Sequence, residues 1–238
     1  MEDTQLYFWK PLMERYKKEL SMVAEYYNRT IPSFGDIEKE ATDYADSIYN
    51  NFPADENNDP ATVADFANDE GIQLYELLNT MKKNHLLMTI SMMCQIWEQQ
   101  LIKFTVTEMR HFLSFDNNAL SFGDAKKIFE LHGVIFKELL SWNKIREMRL
   151  LVNTTKHGDG ESARKLRKIR PDYFELDIIK GTDTLELAGA VLLDSYSLMV
   201  AEQDFRSYVE ATETFWDEMP ERAYSNVDSI ISAFNKKR

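Results

Sequence analysis

Between Trp9 and Tyr27 the apolar residues Trp9, Met13, Tyr16, Leu20, Val23 and Tyr27 recur in alternating steps of four and three. That is the spacing of one face of an α-helix. A chain that opens on such a face must bury it against another element, and a second helix is the simplest partner. Pro11 suits a first helical turn, where a missing N–H costs nothing, and Pro32 closes the segment. Ser33 is then the expected cap of a second helix reaching about Asn51 and burying Phe34, Ile37, Ala41, Tyr44 and Ile48.

The remainder reads as more helix. After the solvated stretch NFPADENNDP, a short helix over 61–70 is expected, with Gly71 breaking it from a long helix running from Ile72 to Ser114. The segment Leu86–Trp97 is apolar nearly all round, Met88, Met92 and Met93 included, as the central helix of a bundle would be. Its methionines are more simply core than a ligand stripe. Glu98, directly after Trp97, reads as a structural acid facing a basic neighbour, or else as an acid lining a cleft. Past the turn FDNNAL, Ser121 opens a helix to about Leu131. Two further helices follow, one ending at His157 and one from Ser162 to Arg170, where Pro171 stops it. Residues 175–187, with Lys-Gly-Thr-Asp-Thr between two short apolar runs, suggest a small β-hairpin. A last long helix over Ser195–Met219 buries Leu198, Phe205, Phe215 and Trp216 with either Tyr208 or Val209, and Ser225 is placed to cap a short terminal helix. The expected architecture is therefore a mainly all-α helical bundle, a single domain over residues 1–238 with no linker or internal repeat.

Composition narrows the chemistry. With 28 Lys and Arg against 40 Asp and Glu the formal charge is −12, so blanket attraction to nucleic acid is excluded and any such contact has to be local. The single cysteine, Cys94, cannot form an intramolecular disulfide, which points to a reducing cytoplasm and a buried small hydrophobe. No basic and apolar leader opens the chain, and its longest apolar run falls short of the ~20 residues of a membrane span. His85, His111, His132 and His157 lack metal-ligand spacing, so neither metal nor cofactor is expected. Asp55, Asn57 and Asp59 have the spacing of a calcium loop. Pro60 stands where that loop needs glycine, however, and Phe66 where it needs glutamate.

One stretch departs from the acidic background. Arg149, Asn153 and His157 lie at i, i+4 and i+8 and share one helical face. His157 precedes Gly158, a common helix C-terminal residue, and at a helix end the dipole favours the protonated imidazole, as acid–base chemistry would use it. Lys156, Arg164, Lys165, Arg167, Lys168 and Arg170 surround it, with only Asp159 and Glu161 opposing them. A phosphate would be welcome there. The ordinary account is a helix ending dressed with cations that complement its dipole.

In the stretch LLVNTTKHGDGESARKL the chain resembles the HEPN superfamily of all-α domains, many of which are metal-independent ribonucleases of toxin–antitoxin and phage-defence systems. The resemblance implies His157 as an acid–base group and Arg149 as the phosphate-stabilising arginine, with Asn153 as the intervening polar residue. It also implies RNA as substrate, no metal, and a homodimer carrying the site across its interface. The family places four to six residues between arginine and histidine; here seven intervene. Along an ideal helix that is about 12 Å between Cα atoms, against roughly 7.5–10.5 Å for the family spacing. Cleavage would then need the arginine of a second subunit, a locally shortened helix, or another cation such as Lys156 or Arg164.

Two functional readings follow. In the first, the chain is a HEPN-like cytoplasmic endoribonuclease or RNA-binding protein, homodimeric and paired with an antitoxin or other protein, with Lys156, Arg164, Lys165, Arg167 and Lys168 holding phosphates. In the second, it is a non-catalytic helical module that self-associates or binds a protein partner through its aromatic and methionine surfaces.

Overall fold

The computed structural model describes residues 3–53, 59–112, 120–176, 180–192 and 194–235. It is mainly helical, with a small antiparallel two-stranded sheet, as expected of the chain. The chain falls into two compact bodies, one of residues 1–26, 89–152 and 201–238, the other of residues 27–88 and 153–200.

In the first body, strand β1 (Asp3–Tyr7) pairs with β2 (Arg222–Asn226) in a register that sets Leu6 opposite Ala223. Helix α1 (Lys10–Thr30) follows, and its periodic face is buried as the spacing requires: Met13, Tyr16, Leu20 and Val23 are all buried. Trp9 lies one residue before the helix and is exposed. The C-terminal half of the long helix α3 (Pro60–Met109) lends Ile90, Met93, Trp97, Leu101 and Phe104 to the same core. Helix α4 (Phe122–Leu131) starts at Ser121, whose hydroxyl accepts from the Asp124 backbone N–H while the Asp124 carboxylate accepts from the Ser121 N–H. Two orphan donors are satisfied by one reciprocal pair. Helix α8, within the stretch expected over Ser195–Met219, is shorter, Glu202–Asp217, and buries Tyr208 rather than Val209. The terminal helix is α9 (Val227–Asn235), and the Asp228 N–H donates to the side chain of Asn226, so Ser225 lies in β2 instead of capping.

One buried amide of this body closes a network, while the buried Trp97 indole N–H has no partner among the described residues. Gln100, 4 % exposed, donates to the Tyr16 carbonyl and to Glu19 and accepts from the Trp216 indole N–H, each at 3.1 Å. Such satisfaction is what allows an amide to lie inside a core.

The second body begins with the last turn of α1 and a 3₁₀ turn, Ile31–Phe34. Helix α2 (Ile37–Asn51) is capped by Asp36, which accepts from the Lys39 N–H at 3.1 Å, and not by Ser33, whose hydroxyl donates to the Thr30 carbonyl. Ile37 and Ala41 are buried, whereas Tyr44 is exposed. Gly71 does not break α3. A Cβ there would meet the Ala45 Cβ at 2.9 Å and the Ala41 carbonyl oxygen at 3.1 Å, so glycine is what lets α2 and α3 approach. Met88 is exposed, unlike Met93.

The hairpin expected over 175–187 is not where the strands are: residues 184–188 form the short helix α7 (Thr184–Ala188), capped by Asp183. Leu-Glu-Leu-Ala favours helix once a carboxylate takes up the first free N–H groups. Residues 177–179, the other arm of that expectation, lie outside the described residues, as do most of the calcium-like loop and of the turn FDNNAL.

Candidate functional site

Helix α5 (Trp142–His157) is uninterrupted α-helix, so no local shortening draws its ends together. Gly158 terminates it with φ of 69°, and its N–H donates to the Thr154 carbonyl at 2.8 Å. This is the left-handed stop for which glycine is the cheapest residue. The buried side of α5 carries Ile145, Met148, Leu151 and Thr154.

Arg149 belongs to the first body, and its charge is already engaged. Its Nε donates to Glu98 Oε1 at 2.5 Å, and its guanidinium lies 3.6 Å from the centre of the Phe122 ring. Ion pair and cation–π contact together hold the group flat between α3 and the first residue of α4. Glu98 is thus the structural acid with a basic neighbour that its position suggested. A phosphate approaching this arginine would meet the Glu98 carboxylate at hydrogen-bond distance from it, and two anions compete for one cation. Cys94, one turn earlier on α3, has its thiol pushed up to about 12, chiefly by burial, so it stays protonated.

Asn153 and His157 belong to the second body, on the last two turns of α5. Asn153 is half-buried and His157 exposed, and among the described residues no hydrogen-bond or ion-pair partner occupies the imidazole. Lys156, Arg164 and Lys168 are exposed as well.

The rest of the basic stretch is neutralised locally. On α6 (Glu161–Arg167), Lys165 pairs with Glu161 one turn back at 2.5 Å. Arg167 donates through Nε and Nη2 to both oxygens of Asp183, at 2.5 and 3.0 Å, and through Nη1 to Asp159 at 2.6 Å, with its guanidinium 4.7 Å from the Phe174 ring centre. Those hydrogen bonds raise the arginine's pKa and hold the Asp183 carboxyl below its usual range. Arg170 lies over the Tyr173 ring at 3.7 Å and pairs with Asp172. Two carboxylates beyond the two visible in the local sequence, Asp172 and Asp183, therefore answer the excess of cations. Asp183 lies 16 positions from Arg167, and Glu98 lies 51 from Arg149. No local spacing announces either pairing.

Among the described residues no group of three His, Cys, Asp or Glu side chains converges as a metal site would require. Compared with protein-family models, with curated proteins and with solved structures, the chain matches none.

Proposed function

We propose that the protein is a helical binding module that does not cleave RNA through Arg149. The observation that carries this reading is the double engagement of that guanidinium by Glu98 and Phe122, which leaves a structural arginine where phosphate chemistry needs a free one. Incubation with single-stranded and structured RNA in the presence of a chelator tests it. No cleavage is expected, and metal-independent cleavage lost in both Arg149→Ala and His157→Ala would overturn it.

A second reading is favoured by the exposure of His157 and of the cations Lys156, Arg164 and Lys168 near it in the sequence. It is the RNA-directed, HEPN-like protein of a toxin–antitoxin or phage-defence system, acting in the cytoplasm as a homodimer and held in check by an antitoxin. In this reading the arginine comes from a second subunit. Mixing Arg149→Ala with His157→Ala protein would then restore cleavage that each variant alone has lost, and Glu98→Gln, by freeing the guanidinium, would raise the rate. Failure of the mixture to cleave would count against it.

A further inference from the structure

We propose that the groove between α2 and α3 in the second body docks a basic amphipathic helix of a protein partner. This rests on the binding-module reading and names the partner's chemistry.

Three observations converge on that groove. The first is its shape. It encloses about 600 Å³ and runs from Glu38 to Tyr49 along α2 and from Ala64 to Tyr75 along α3. At 1.5 Å per residue each wall is about 16 Å long, three helical turns, which is too long for one side chain and suits a helix. The second is its lining. Ala41, Ala45, Ala67 and Gly71 make a floor of small residues over which another backbone can come close, while Tyr49, Ile72 and Tyr75 stand exposed at its walls. Apolar groups left exposed around a concave floor, with a polar rim, mark an interaction surface.

The third observation selects the partner. From Glu40 to Met81 the described residues include eight Asp and Glu and no Lys, Arg or His. Glu38 and Asp46 line the groove itself, and the nearest preceding cation, Lys39, is paired with Asp43 at 2.8 Å. A surface of one sign attracts its opposite and rejects its like, so nucleic acid and anionic lipid are repelled and a Lys- and Arg-bearing helix is drawn in. A second copy of this chain is a poor occupant. Its basic helix α6 is seven residues long, and the apolar side chains Ala163 and Leu166 that would have to dock are already buried.

Fluorescence anisotropy of the full chain with a labelled synthetic peptide of about five helical turns, leucine on one face and lysine on the other, tests the proposal. Controls are a scrambled peptide of the same composition and one with glutamate replacing lysine. Binding of the amphipathic lysine peptide is expected, at least about tenfold tighter than the scramble and weakening with salt. Ala64→Trp fills the groove from an exposed helical position and should weaken it about tenfold; Asp46→Lys should weaken it by a similar factor, and Asp69→Lys, the same change outside the groove, by less than about twofold. Circular dichroism verifies that each variant folds. Equal affinity for the scrambled peptide, or indifference to Ala64→Trp in a folded variant, would mean diffuse charge attraction and overturn the docking site. A chain that docks the peptide and also cleaves RNA in a manner lost in both Arg149→Ala and His157→Ala would sustain this proposal while refuting the non-catalytic reading. One that does neither would refute the docking site and leave that reading intact.

Discussion

In the first body Phe8 stacks on Phe104 at 4.7 Å, Phe129 meets both edge-on, and Phe215 joins Trp97 at 5.1 Å to Phe136 at 5.3 Å. The second body has smaller ring groups among its described residues, His85 with Tyr27 and Phe34, and Phe52 with Phe66 at 6.1 Å. Its helices meet where Gly71 faces Ala45, its α6–α7 region is tied by Arg167 to Asp159 and Asp183, and its tyrosines 44, 49 and 75 stand exposed. The first body thus joins its buried rings into one connected core, although Trp9, Tyr26 and Tyr224 stand exposed on it, whereas the second buries Tyr27, Tyr173 and Phe174 and draws α2 and α3 together by close backbone approach. The difference locates where binding can occur. Exposed aromatics and unpaired like charges are a cost to the chain alone, and they become useful only when something covers them.

The contrast is broken most severely at Phe104, which is 1 % exposed and touches Phe8, Phe129 and Trp216. Phe104→Ala loses its transfer free energy and leaves a cavity between rigid rings, a cost of about 3–5 kcal/mol by chemical denaturation. No single aromatic of the α2–α3 region should approach that: Tyr49→Ala or Tyr75→Ala, at exposed positions, is expected to change stability by less than about 0.5 kcal/mol.

In the second body the corresponding weak point is ionic. Arg167→Ala leaves Asp183 and Asp159 without their shared cation and uncovers Phe174, a loss of about 1–3 kcal/mol for a pair that is still partly solvated. Arg167→Lys should recover less than half of it, because an ammonium cannot serve both oxygens of Asp183 at once. The pH signature has a definite sign. Asp183 is held below its ordinary value of 3.8, so its contribution is complete above that value and is lost as the pH falls below it. Arg167→Ala should flatten that acid limb of the stability profile.

Gly71→Ala sets two small effects against each other. Alanine favours a helix interior by about 1 kcal/mol. Its Cβ would sit 2.9 Å from Ala45 Cβ and 3.1 Å from a backbone oxygen, which cannot give way as a flexible side-chain end can. Overpacking of that kind costs about 1–3 kcal/mol, so the net expectation is a loss of about 1 kcal/mol in a thermal melt.

The helical class, the face of α1, the capping box at Ser121 and the α5 stop at Gly158 were legible because each rests on residues within a few positions of one another. The division into two bodies was not. Three of its crossings fall inside continuous helices, at Tyr26–Tyr27 in α1, Met88–Thr89 in α3 and Val152–Asn153 in α5, so no linker marks them. Gly71 misled for a related reason: the same residue that breaks an isolated helix is required where a second helix passes close. At the candidate site the order of residues along α5 was readable. The state of Arg149 depends on Glu98 and Phe122 and that of Arg167 on Asp183, and no periodicity connects such distant positions.

The smallest expected effect compares two histidines. His132, in the first body, is 4 % exposed and bonded at Nδ1 to the Ile128 carbonyl, 2.7 Å, and at Nε2 to the Thr4 hydroxyl, 3.0 Å. His85, in the second, is half-buried, stacked on Tyr27 and bonded at Nε2 to the Thr30 hydroxyl at 2.8 Å. Burial lowers the pKa of both from 6.5, and for His132 the hydrogen bond to Ile128 opposes part of that shift. A depressed folded pKa means that the unfolded chain binds the proton first, so stability is flat above pH 6.5 and declines as the pH falls below it. Protonation at Nε2 of His132 leaves the Thr4 hydroxyl free to donate wholly to the Ser225 carbonyl at 3.0 Å, so β1 keeps a bond and the decline is gradual. Denaturant melts across that range should show a shallow slope that His132→Gln reduces more than His85→Gln does. The opposite order would place the acid-sensitive packing in the second body and reverse the contrast between them.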